Sequence, residues 1–115
     1  MQSDIQNNRG DGSRRRKVFI VNKSAHDFSS AMNFGDITFL SEGLMSRYEC
    51  NNIHRHFVSI MKDSHKDDYI VLCSLNVMNS IACAIFAQKH RTLNLLLFKS
   101  GSYLERNLIL EEERE

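Results

Sequence analysis

The stretch DDYIVLCSLNVMNSIACAIFAQKH, residues 67–90, places Ser74, Asn76 and Asn79 where one apolar run gives way to another. Small hydroxyl and amide side chains at such a junction can cap a helix, and they can also hold a ligand by hydrogen bonds. Two further junctions have the same character. Asn22, Lys23, Ser24 and His26 follow the run VFIV, and Ser41, Glu42 and Gly43 follow ITFL, with Ser46 and Arg47 just beyond. Lys23 and open helix N-termini suit an anionic group. His26 and Glu42 are candidates for general acid–base work, provided the first two junctions converge.

Other chemistries lack their parts. The chain has five scattered glycines and neither GxGxxG nor GxxxxGK[ST], so a glycine-rich phosphate loop is excluded. No GxSxG elbow is present. Cys73 stands among apolar neighbours, which favours an inert core thiol over a nucleophile. Cys50 and His54 lie four residues apart and could share a helix face, but His56 points elsewhere and no second cluster completes a metal set. Cys50 then reads as part of the apolar face and His54 as its boundary. No metal and no cofactor are expected.

The elements that must position these residues follow from hydrophobic spacing. Val18–Val21 is a short apolar run suited to a strand buried on both faces. Ser24 is placed to cap a short helix over residues 25–33, ended by Gly35. Residues 36–40 form the second strand candidate. From Leu44 to about Lys62 the spacing is helical, with Ile53, Phe57, Ile60 and Met61 on one face. KDSHKDD is a polar loop, Tyr69–Cys73 the third strand, and Val77 to about Lys89 the third helix. TLNLLLF and YLERNLIL, joined by KSGS, read as an antiparallel hairpin. The expected fold is α/β and Rossmann-like: one mainly parallel sheet of four to five strands, three flanking helices and a C-terminal hairpin. In such a sheet all three junctions emerge at the carboxyl edge, where ligands bind.

A chain of 115 residues is the size of one domain. Residues 1–16 are polar and read as a disordered basic arm, residues 17–110 as the domain, and residues 111–115, EEERE, as an acidic tail. Residues 1–17 carry a net charge of +3 and the last five −3, which leaves +1 for the rest. A nearly neutral domain makes nucleic-acid binding unexpected, except through Arg14, Arg15, Arg16 and Lys17. The longest apolar run, Ile81–Ala87, is too short to span a bilayer, and no secretory signal is visible. Three cysteines without a CxxC pair fit free thiols in a reducing cytoplasm.

KVFIVNKSAHDF, FLSEG and RTLNLLLFKSGSYLERNL together resemble short α/β proteins encoded in bacteriophage genomes. The resemblance implies a virus-encoded protein acting in the host cytoplasm, and it carries over no catalytic residues. With no complete catalytic set, the favoured expectation is a non-enzymatic, homodimeric interaction protein with an edge strand suited to pairing, which binds a host or viral protein. The alternative is a protein that binds or degrades a small anionic ligand, a nucleotide or signal molecule, through Asn22, Lys23, Ser24, Ser41, Glu42, Ser74, Asn76 and Asn79.

Overall fold

The computed structural model describes residues 14–24, 26–46 and 48–110. The expected arm up to residue 13, and the acidic tail, lie outside them. Among the described residues five strands and two α-helices follow one another: β1 (Lys17–Ile20), a 3-10 helix (Ser29–Asn33), β2 (Asp36–Phe39), α1 (Cys50–Met61), β3 (Tyr69–Leu72), α2 (Asn76–His90), β4 (Thr92–Lys99) and β5 (Ser102–Ile109). The sheet order is β2-β1-β3-β4-β5. The first four strands are mutually parallel and β5 is antiparallel to β4. The mainly parallel sheet and the terminal hairpin are thus as expected, whereas the described residues hold two α-helices rather than three.

Alternation along the buried strands divides the core between the two faces of the sheet. Phe19, Val21 and Ile70 point to the side of α1 and α2, where they pack with Ile53, Phe57, Met61, Met78, Ala82 and Phe86. Val18, Ile20, Tyr69, Val71 and Leu96 point to the other side and meet Phe28, Ala31 and Tyr103. Each fully buried large apolar side chain contributes roughly 1.5–3 kcal/mol. Lys89 of α2 donates to the carbonyl oxygens of Met61 and Lys62, so one helix closes the C-terminus of the other.

The missing third helix has a cause in spacing. Phe28 and Ala31 are buried and Phe34 is half-buried, a repeat of three. A 3-10 turn puts such residues on one line, and an α-helix would rotate them apart. Asp27 supports the turn by accepting the Ser29 N–H at 2.9 Å. Ser24 accepts the His26 N–H at 3.3 Å and caps no helix. Gly35 does not end a helix either. A Cβ there would lie 2.3 Å from the carbonyl oxygen of Arg16, which accepts the neighbouring Asp36 N–H, so glycine permits the close passage of β2 beside the chain entering β1.

Helix α1 begins later than its apolar spacing alone implied. Leu44 is fully exposed, Gly43 has φ +71°, and Ser46 accepts the Tyr48 N–H in a local turn that competes with helix. Ile53, Phe57 and Met61 form the buried face, with Ile60 packed at its side. Cys50 is exposed and does not belong to that face, which corrects its assignment. The hairpin turn has positive φ at both Ser100 and Gly101, the type I′ geometry that matches the twist of two antiparallel strands.

Asp68, read as part of a polar loop, is fully buried at the amino edge of the sheet. Both its oxygens accept from the Arg14 guanidinium at 2.8 Å, and the backbone N–H groups of Lys17 and His65 donate at 2.9 and 2.8 Å. Burial pushes its carboxyl up, but the Arg14 hydrogen bonds and the two backbone donors outweigh it, and the net shift is downward. Arg15 pairs with Asp36, and Arg16 donates to the Tyr69 hydroxyl. Arg14, Arg15 and Arg16 are therefore bonded to the sheet's amino edge.

Candidate functional site

The chain leaves β1 toward the 3-10 side to reach β2, and it leaves β3 toward the helical side to reach β4 through α2. The two connections part between adjacent strands. In open α/β sheets a crevice forms at the carboxyl ends of such strands, where the order reverses. A cleft of about 470 Å³ lies there, lined by Asn22, Ser24, His26 and Phe28 after β1, by residues 71–75 at the end of β3, and by Phe98 and Tyr103 of the hairpin. The volume lies within the range of small-molecule sites.

Its walls are aromatic. His26 meets Phe28 edge-on with ring centroids 4.7 Å apart, and meets Phe98 edge-on at 5.5 Å. Phe98 in turn meets Tyr103 at 5.2 Å. These are the edge-to-face separations that aromatic pairs favour. Among the described residues no Asp, Glu, Lys or Arg lines the cleft. Tyr103 is 7% exposed, and its hydroxyl is buried with no hydrogen-bond partner among the described residues. Burial first, then Asp27 and Cys73 nearby, push the phenol's pKa up, so the group remains a protonated donor. An unsatisfied buried hydroxyl costs roughly 1–3 kcal/mol.

Of the candidate residues, Asn22, Ser24, His26 and Ser74 reach the cleft. Asn22 is already engaged, donating to Ser41 Oγ at 2.8 Å and to the Gly43 carbonyl at 3.1 Å. Ser41 is buried and donates to the Val21 carbonyl. These bonds, with the Lys23–Glu42 bridge, extend the β1–β2 pairing beyond the strands and lock the first two junctions together. The Lys23 ammonium sits 5.7 Å from the Phe39 ring centroid. Lys23, Ser41 and Glu42 are outside the cleft lining, and no hydrogen bond or ion pair joins Glu42 to His26 among the described residues. Asn79 is buried and ties α2 to the strand end by donating to the Cys73 carbonyl at 2.7 Å. Asn76 is exposed at the start of α2. Arg47 is outside the described residues.

Neither Ser74 nor Asn76 makes the expected cap. The N-cap of α2 is Leu75, with no side-chain capping bond and no acidic residue in the first turn. The ladder opens with the Asn79 N–H donating to Leu75 at 2.9 Å, which leaves the N–H groups of Asn76, Val77 and Met78 ahead of it. Cys73 is half-buried, and it both lines the cleft and packs against the helical-side core. Phe28, Phe98 and Tyr103 were not singled out from sequence. The hairpin register pairs Phe98 with Tyr103, a signal the KSGS turn contains. Strand order alone brings that pair beside β3. Among the described residues no group of three His, Cys, Asp or Glu side chains gathers to hold a metal.

The chain is therefore a small α/β protein with an aromatic-walled cleft at the reversal of strand order. Residues 16–108 match the model of the Phage Pam3 gp32-like protein family, and the chain belongs to that family of phage proteins. No curated protein and no solved structure matches it. No described helix is long and apolar enough to cross a membrane.

Proposed function

We propose that the protein binds a small molecule in the cleft between the ends of β1 and β3, in the cytoplasm of the infected host. The cleft itself carries this reading: it is of ligand size, walled by His26, Phe28 and Phe98, and lies at the carboxyl ends of the strands. The doubly wound, Rossmann-like placement of the cleft supports the same conclusion. Arg14, Arg15 and Arg16 are bonded within the chain, which favours a small ligand over a nucleic-acid backbone as the anion partner. We assign no catalytic step, since His26 and Glu42 are not joined.

A protein partner or second copy at the outer edge of β5 is the second reading. Among the described residues no strand pairs with that edge, and Leu108 and Ile109 are 48% and 75% exposed. Glu105 and Arg106 in mid-strand oppose indiscriminate pairing.

Native mass spectrometry of protein purified gently from infected cells separates the two. The small-molecule reading expects a bound mass of roughly a few hundred daltons, the size such clefts hold, lost on denaturation. A bare dimer would favour the edge-strand reading instead.

A further inference from the structure

Resting on the small-molecule reading, we infer that the ligand is a flat aromatic compound, its ring packed on Phe98 beside His26, with a hydrogen-bonding group on its edge. Two observations point to it. The first is the make-up of the wall. Phe28, His26, Phe98 and Tyr103 form one continuous chain of edge-to-face rings, with successive centroids 4.7, 5.5 and 5.2 Å apart. Both ends of the chain are held, because Phe28 and Tyr103 are buried in the core on the 3-10 side. The hairpin register sets Phe98 opposite Tyr103. Rings fixed in this way lose little conformational freedom when a ligand arrives. The second observation is the exposure of Phe98. Of the large apolar side chains exposed among the described residues, Phe98, at 47%, is the one that lines the cleft. Its uncovered surface lies in a concave site, where a ligand ring removes it from water.

An aromatic ligand gains more on this wall than an aliphatic one of the same size. Both gain from the apolar surface they cover, but only a ring adds the stacked or edge-to-face contact. The polar part of the lining calls for a hydrogen-bonding edge. Asn22 spends its amide hydrogens on Ser41 and Gly43, so what it can still offer a ligand is an acceptor oxygen. Ser24 already accepts the His26 N–H, and its own hydroxyl hydrogen remains to donate. Val71, Leu72 and Leu75 complete the apolar lining. A planar apolar ring with an amide-like edge matches both kinds of surface.

The test compares a flat probe with a puckered one. Naphthalene carboxamide and its saturated counterpart, decahydronaphthalene carboxamide, share the amide and differ in aromaticity. In nuclear magnetic resonance titrations of the full chain, the aromatic amide should bind roughly threefold to tenfold more tightly. Phe98→Leu, which keeps an apolar side chain at a half-exposed position, should remove most of that difference by weakening the aromatic amide alone. If Phe98→Leu does not fold, cross-relaxation between the bound aromatic amide and the Phe98 ring protons of the wild-type protein takes its place, and its absence at full occupancy overturns the assignment. Equal affinity of the two amides, or equal weakening of both by Phe98→Leu, overturns the aromatic assignment but leaves the small-molecule reading standing. Where neither amide binds, the compound released from the natively purified protein decides. An aromatic compound supports the assignment, a non-aromatic one overturns it alone, and no bound compound overturns the small-molecule reading as well.

Discussion

Asp68→Ala is expected to lower the unfolding free energy by about 3 kcal/mol, the low end of the cost of breaking a buried ion pair. The low end applies because Arg14 is 36% exposed and regains water when its partner is lost. The backbone N–H groups of Lys17 and His65 lose their acceptor as well. For a domain of this size the loss corresponds to a fall of roughly 10–15 °C in melting temperature. Asp68→Asn, which keeps the shape and one acceptor oxygen, should cost less. The pH dependence gives a second readout. The Asp68 carboxyl is held below its ordinary value when folded, so its stabilisation is fully present above the unfolded value near about 3.9 and is lost as pH falls through the folded value. Urea denaturation at pH 7 and pH 3 should therefore show the wild-type advantage over Asp68→Ala shrinking in acid. An undiminished gap would mean that shape, not charge, is what Asp68 supplies.

Tyr103→Phe is expected to act on stability and not to weaken it. Removing a buried hydroxyl that has no partner among the described residues leaves the protein as stable or up to roughly 2 kcal/mol more stable. Thermal denaturation of the two proteins side by side reads the difference. A Tyr103→Phe protein less stable than wild type by more than about 1 kcal/mol would show that the hydroxyl has a structural partner.

The order of elements and the carboxyl-edge location of the cleft were readable from spacing and composition, and the reasons are local. VFIV, YIVL and TLNLLLF are apolar runs whose lengths admit little but buried strands. KSGS forms the turn it resembles because Ser100 and Gly101 take the positive φ the hairpin needs. What stayed hidden depends on contacts between distant segments. The Phe28, Ala31, Phe34 repeat of three is visible in the chain, yet its preference for a 3-10 turn holds only because that side of the sheet is there to receive it. Asp68 resembles its neighbours Asp63 and Asp67 in type, and only the Arg14 partner 54 residues away makes it a buried anchor. Of the polar junction residues, Asn22, Ser24 and Ser74 line the cleft, while Ser41 and Asn79 spend their side chains on backbone carbonyls. The aromatic walls come from the hairpin, whose position next to β3 follows from strand order and not from any motif.

Whether the cleft at the reversal of strand order is the binding site is decided by amide chemical-shift mapping by nuclear magnetic resonance, with the small molecule released from the natively purified protein titrated back into labelled protein. Saturable shifts should concentrate at Ser24, His26, Cys73–Val77, Phe98 and Tyr103, with little change at Arg55 and His56 of α1 or at Lys17 and Asp68 on the amino edge. Shifts centred on the amino edge or on β5 from Arg106 to Ile109, with the cleft amides unmoved, would contradict it.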